Sequence, residues 1–478
     1  MPRRLAAIAL AAAPLLARPA AYDVDARTEA QVYSIPRATA DAGRWTFLPI
    51  RRLVEVLDVA GFEVVPGEDS GLALSLRLDA DFGLTAAEAS ALDDGRRAAL
   101  QLLAGRLWWK GLAGGRVDVA LGRITAQDPV ASWAFDGASV TVRPVTFLAL
   151  TAFGGLRVEG ASWLASPTLA PDGVRSSDTR RLGLGVPPYP CAALPLGNCA
   201  DRADPTLDDP APTFGARLAL TRLPGGLASG AEVEYRRTLR AGGVIEERLG
   251  GGLSWLVGPV SLDGAAEWDL YLARATAIRG AARWGALPWL ALGVEARYWH
   301  QSFSADSIFN VYDTSPWTET RLTADVAPAG WLRLRASGGL AWVRPTAFGE
   351  TFFSDHGGTS PEAALGATAD AGGTAFLADL TWRGGVQGRA GFFTAGARRV
   401  LAGWLALDLR GTLSTVEDPV IPAYSGTFAS AALLVSGRLE RRAQLSLLVE
   451  DSASRFGRND LRVYAFLSLG TSWDTRLR

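Results

Sequence analysis

The chain is poor in the side chains that most often carry chemistry. Its 478 residues include two His, two Cys and one Met, and Lys110 is the only lysine, so nearly all positive charge is arginine. That is unlike a soluble enzyme of this size. A charge excess is lacking too. The balance of 48 Lys+Arg against 49 Asp+Glu leaves a net charge of -1, and nothing points to nucleic acid or to an acidic partner. No phosphate loop, dinucleotide fingerprint or zinc-binding helix occurs. After residue 21 no apolar run reaches the ~20 residues that a transmembrane helix needs. Disorder is excluded as well, because 48% of the residues are hydrophobic and 20% charged. What the chain has in quantity is glycine (53) and tryptophan (16).

The N-terminus reads as an export signal. Arg3 and Arg4 precede the apolar run Leu5 to Leu16, and small residues follow in Ala17-Arg-Pro-Ala-Ala21. This is the charged, apolar, small-residue order of a secretory signal. Cleavage after Ala21 places Pro19 at the minus-three position, an imperfect site. A membrane anchor is the alternative, but the run falls short of the ~20 residues that would span. The domain expectation is a signal over 1–21 and a single unit over 22–478.

That unit opens on a period of two. In Tyr22 to Tyr33, Asp23, Asp25, Arg27, Glu29 and Gln31 alternate with Tyr22, Val24, Ala26, Thr28, Ala30 and Val32. One face is wet and the other apolar, as in a half-buried strand. The pattern recurs. Leu72, Leu74, Leu76 and Leu78 alternate with Ser75, Arg77, Asp79 and Asp81. Leu332 and Leu334 alternate with Arg333 and Arg335, and Leu405, Leu407 and Leu409 with Asp408 and Arg410. The segments run longer than the usual soluble strand of ~5–6 residues, and their polar faces are often fully charged.

The connections alternate in length. Tight Gly/Pro turns stand at 111–115, 224–226, 257–259, 286–288, 327–330 and 401–403, and longer polar stretches at 34–46, 84–96, 160–211, 304–316 and 345–360. Residues 84–96 have the composition of a short helical turn. Tryptophans 255, 284, 289, 331, 342, 404 and 473 stand near strand ends, a placement that suits the lipid headgroup level. The fold expected is all-β, a transmembrane antiparallel β-barrel with an even number of strands, about 18–22. The hairpins near 268–274 and 361–385 blur the period. A first strand at Tyr22 leaves no room for an N-terminal plug domain.

The last segment, Leu461-Arg-Val-Tyr-Ala-Phe-Leu-Ser-Leu-Gly-Thr-Ser-Trp473, resembles the C-terminal strand of bacterial outer-membrane proteins. That resemblance implies the bacterial outer membrane as location and recognition of this strand by the barrel assembly machinery. The five residues after Trp473 depart from the strictest form of that pattern. Leu121-Gly-Arg-Ile124, followed by Trp133-Ala-Phe-Asp-Gly137 and a strand from Ala138 to Arg143, is similar to porin and alginate-export-type barrels. It covers under a tenth of the chain and implies a passive channel without naming a solute.

The inward candidates are the charges of the polar faces. They are Asp23, Asp25, Arg27, Glu29, Arg77, Asp79, Asp81, Arg236, Glu267, Arg297, Arg321, Arg333, Arg335 and Arg410; Arg248, Glu232, Glu234, Asp263, Glu295, Glu319 and Asp325 share the pattern. They can form an opposed-charge constriction or cross-strand ion pairs that stabilise a crowded interior. The signs nearly balance, so no strong ion selectivity is expected, and Arg333 with Arg335 is the best local anion site. Cys191 and Cys199 lie in the 160–211 loop, where an oxidising compartment favours a disulfide. Asp201, Asp204, Asp208 and Asp209 in the same loop match no calcium motif, and Pro205 and Pro210 interrupt them. Ser354, Asp355 and His356 are chain neighbours, which is poor geometry for a catalytic triad, and His300 falls near a strand end. No cofactor, metal or catalytic residue is expected. The partners expected are outer-membrane lipid, the assembly machinery and small hydrophilic solutes. The functional expectation is passive passage of such solutes or export of a polymer; the alternative is a closed or plugged barrel with a structural or adhesive role at the surface.

Overall fold

The computed structural model describes residues 21–38, 45–81, 98–127, 132–158, 211–221, 228–240, 242–300, 315–344, 357–386, 388–418, 425–440, 443–454 and 457–474. These build 22 strands. They are β1 (Ala21–Ala38), β2 (Trp45–Phe62), β3 (Asp69–Asp81), β4 (Ala98–Gly111), β5 (Val117–Gln127), β6 (Ser132–Val145), β7 (Leu148–Arg157), β8 (Pro212–Leu220), β9 (Ala228–Arg240), β10 (Gly243–Val257) and β11 (Val260–Asp269). The second half holds β12 (Arg274–Leu287), β13 (Leu290–Trp299), β14 (Trp317–Ala329), β15 (Leu332–Val343), β16 (Gly358–Ala371), β17 (Thr374–Arg383), β18 (Arg389–Ala402), β19 (Leu405–Glu417), β20 (Gly426–Glu440), β21 (Ala443–Ser454) and β22 (Gly457–Asp474).

Every strand pairs antiparallel with its neighbour in sequence, from β1–β2 through β21–β22. β22 then pairs with β1, Trp473 against Tyr22 and Val463 against Val32, and the sheet closes on itself. The strand count is even. The shortest strand has 9 residues and the longest 18, so each meets the ~9–11 residues that a tilted strand needs to cross a bilayer.

Residues paired across an antiparallel ladder share a face, so the register carries one face around the whole ring. The inner row runs, for example, Asp25–Asp58–Ser75 on β1 to β3 and Arg297–Glu319–Ala341 on β13 to β15. The outer row alternates with it and carries Leu, Val, Phe and Trp. Leu322, Leu365, Leu409 and Leu433 stand exposed on it, Leu322 at 63%. Most apolar side chains point away from the barrel and most charged ones into it, the inverse of a soluble protein, and each strand pairs on both sides within the closed ring. The chain is a transmembrane β-barrel of the outer-membrane type. No helix among the described residues is long and apolar enough to cross a membrane; the strands cross instead. Exposed Trp289, Trp331 and Trp404 stand at three tight turns, an aromatic girdle at one interface.

One end carries the tight turns. At Leu112–Gly115 the chain makes a single left-handed turn in which Gly111, Ala113 and Gly114 have φ of 70°, 53° and 73°. Glycine supplies two of those three positions because a side chain is strained there. The uncertain hairpins resolve as β11–β12 and β16–β17. Two stretches read as loop prove partly strand. β1 runs on to Ala38, paired with β2 alone beyond Val32. Pro36 there has no β22 partner on one side, so its missing N–H is tolerated. β16 likewise begins at Gly358. Residues 84–96 and most of 160–211 lie outside the described residues, as do residues 1–20 of the expected signal.

Candidate functional site

The inner face of the barrel is the candidate site. The register places every predicted lining residue on it: Asp23, Asp25, Arg27 and Glu29 on β1; Arg77, Asp79 and Asp81 on β3; Arg236 on β9; Glu267 on β11; Arg297 on β13; Arg321 on β14; Arg333 and Arg335 on β15; and Arg410 on β19. They are spread around the ring rather than gathered at one place. Most meet charges on the same strand or one or two strands away. Arg27 lies 3.4 Å from Asp25 and 4.0 Å from Asp58. Arg321 reaches Glu362 at 2.6 Å and Glu319 at 2.8 Å. Asp325 takes Arg335 at 3.1 Å and Arg283 at 3.3 Å, and Arg410 sits 2.9 Å from Asp408. Arg27, Arg335 and Arg410 are water-exposed, and such pairs contribute little stability, whereas Glu319 is buried beside Arg321.

One part of the wall differs. Where β7 to β12 meet the long-loop end, the inner charges interlock and are buried. The Glu246 carboxylate, 3% exposed, accepts from Arg236 at 2.7 Å and from Arg157, and is ion-paired with Arg248 at 2.8 Å. Arg248 donates in turn to Glu267, and the Thr276 hydroxyl donates to the same Glu267 carboxylate at 2.6 Å. Arg217 binds Glu234 at 3.0 Å and lies 3.6 Å from Glu232. The Arg236 guanidinium also lies 4.5 Å over the Trp133 ring, a cation–π contact. Beside it an inward-facing apolar cluster forms from Ile124, Trp133 and Phe135, with Ala120, Ala126 and Phe153 against it. The three rings pack at centroid separations of 5.1 to 5.5 Å. A buried charge network holds its geometry because each carboxylate is multiply satisfied.

Alternation missed Arg157, Arg217 and Glu246. The β-bulge between Val244 and Glu246 shifts the phase of β10, so Glu246-Glu247-Arg248 has no clean period. Arg217 carried a readable signal, since Gly215, Arg217 and Ala219 alternate with Phe214, Ala216 and Leu218.

No protein-family model matches the chain, and no curated protein matches it. Solved structures do. OpdK, an outer-membrane protein of Pseudomonas aeruginosa, is 10% identical over 95% of this chain and 99% of its own, with a TM-score of 0.44. OccAB4 of Acinetobacter baumannii is 6% identical over 95% and 98%, at 0.43. A BenF-like porin of Pseudomonas fluorescens Pf-5 is 9% identical over 95% and 99%, at 0.44. The strand count and the closure of this barrel rest on its own pairing.

The Leu121-Gly-Arg-Ile124 and Asp136-Gly137 segments meet in space. Arg123 and Asp136 are register partners on β5 and β6, on the outer face. The guanidinium donates to both carboxylate oxygens, Nε at 2.7 Å and Nη2 at 2.6 Å, the bidentate geometry that arginine favours. His300 follows β13, and its N–H donates to the Thr276 carbonyl. Cys191, Cys199, Asp201, Asp204, Asp208, Asp209, Ser354, Asp355 and His356 lie outside the described residues. Among the described residues no group of three or more His, Cys, Asp or Glu is placed to hold a metal ion.

Proposed function

We propose that the protein is a passive channel for small hydrophilic solutes in the outer membrane of a Gram-negative bacterium. The observation that carries this reading is the continuous charged inner face, traced around the whole closed ring. Twenty-two strands spaced ~4.8 Å apart and tilted ~40° close into a ring about 40 Å across, enough to hold water once side chains are subtracted. Both signs line that space, so opposed charges set the passage of solutes. The lining charges predicted from sequence act as this constriction, with Arg333 and Arg335 as its exposed cationic pair. The segment 1–21 directs export and is removed, and β22 is the strand that the assembly machinery reads. Nothing among the described residues favours polymer export or an adhesive role.

The test is electrical. Purified protein in a planar bilayer gives stable stepwise conductance with weak preference between anions and cations. Folded, heat-modifiable protein that inserts and stays silent sinks the channel reading.

A further inference from the structure

β4 and β5 part company halfway up the wall. Their register holds only five residue pairs, from Trp109–Val119 to Gly105–Arg123. The flanking ladders continue to the strand ends, β3–β4 as far as Ala80–Ala98 and β5–β6 as far as Gln127–Ser132. Among the described residues, Ala98–Ala104 of β4 and Ile124–Gln127 of β5 therefore have no register partner across this seam. β5 has 11 residues, about the number that spans a bilayer. Its unpaired end thus lies at the outer edge of the hydrocarbon.

The parting is built into the chain. Gly122 stands at the fork with φ 111°, and a Cβ there would lie 2.1 Å from the Gly105 carbonyl oxygen. Only glycine permits this bend. Open sheet edges are costly in lipid unless their polar groups find partners. Here two arginines serve carbonyls above the fork. Arg123, held by Asp136, donates to the Leu102 carbonyl, and Arg217, on the inner wall of β8 and held by Glu234, donates to the Gln127 carbonyl. The second bond ties the end of β5 to the inner wall, away from β4. The rim of the fork carries Leu102, Leu103 and Ala104 on one side and Ile124 and Ala126 on the other, interspersed with Gln101, Thr125 and Gln127. Ile124 continues inward into the Trp133–Phe135 cluster.

We infer that the β4–β5 seam is a lateral portal through which small uncharged aromatic or other apolar molecules pass between the barrel interior and the outer leaflet. The apolar cluster of the inner wall reaches the seam at Ile124, the seam faces lipid, and in place of a ladder the Arg123 side chain spans it from β5 to the Leu102 carbonyl of β4. This goes beyond the proposed channel, whose solutes are hydrophilic and move along the barrel axis.

The experiment bridges the seam. Leu103→Cys/Thr125→Cys is joined by a short bis-maleimide in the outer membrane of a host whose own pores are deleted, with the unsubstituted protein treated alike to account for Cys191 and Cys199. The probe is N-phenyl-1-naphthylamine, which fluoresces on reaching lipid. Expected is a loss of most of the dye uptake that the protein confers, with planar-bilayer conductance unchanged. Thr125→Trp, which adds bulk at the rim without a crosslink, lowers uptake in the same way. The portal is overturned if the protein confers no dye uptake, if the bridged protein admits dye as fast as the unbridged one, or if bridging abolishes conductance and uptake together. Loss of conductance in the unsubstituted protein would instead strike the channel reading and leave the dye result standing.

Discussion

Glu246 is the carboxylate on which the buried wall depends, and removing its charge is the sharpest test of that wall. Its side chain is 3% exposed, and its three arginines are 15%, 7% and 18% exposed. Glu246→Gln keeps the volume and leaves Arg157 and Arg236 facing a neutral amide, while Arg248 keeps Glu267. Removing one partner of a buried ion pair costs about 3–5 kcal/mol. Retention of the Arg248–Glu267 contact puts this case at the lower end, about 3 kcal/mol, roughly a hundredfold in the folded-to-unfolded ratio. The assay is urea unfolding of the refolded protein in phospholipid vesicles, followed by tryptophan fluorescence and by heat-modifiable gel migration. A control comes from Glu417, which faces Arg389 at 3.9 Å with both side chains more than 70% exposed. Glu417→Gln stays within about 0.5 kcal/mol of the parent. If Glu246→Gln also unfolds within about 0.5 kcal/mol of the parent, the network does not hold the wall and the reasoning fails.

Three further outcomes are expected. Arg333→Glu/Arg335→Glu reverses an exposed cationic pair inside the barrel, so the reversal potential under a salt gradient moves toward cation preference while the unfolding midpoint barely changes; an unmoved reversal potential removes these residues from the constriction. Gly71→Ala places a Cβ 2.1 Å from Trp108 Cζ2 and 2.7 Å from the Gly61 carbonyl oxygen. The strain of about 1–3 kcal/mol lowers the urea midpoint, and an unchanged midpoint would show that the ring over Gly71 moves aside freely. Arg123→Leu leaves Asp136 on the lipid face without its bidentate partner, at a cost of about 1–2 kcal/mol once Asp136's partial exposure is discounted. Arg123→Leu/Asp136→Leu recovers that stability in the same unfolding assay, and a double variant less stable than the single one would contradict the pairing.

The faces of this barrel were legible because side-chain direction in a strand depends on parity alone. Asp25, Arg77, Arg335 and Arg410 could each be assigned inward without knowing any partner. Parity also limits the reading. It breaks at bulges, as between Val244 and Glu246 and between Glu267 and Trp268, and the most buried charge of the wall lies just past one of them. It says nothing of depth either, so it set Arg236 beside the water-exposed Arg335 as an equal. The fork at Gly122 was hidden for a related reason. Leu121-Gly-Arg-Ile124 reads as ordinary alternation, and only pairing shows that β4 stops answering β5 there.

Closure of the ring has a consequence for how the molecule comes to exist. Twenty-one of its ladders join strands adjacent in the chain, and each can zip locally once its hairpin is made. The β1–β22 ladder joins Tyr22 to Trp473, almost the full length of the polypeptide. The entropy of closing such a loop grows only logarithmically with its length, but none of it is repaid until the last strand is present. Until then Asp23 to Gln31 line an unsealed edge, and the growing sheet is open to pairing with any other strand. The chain therefore has to be kept from settling until its final residues are delivered, and its folding is committed at one seam.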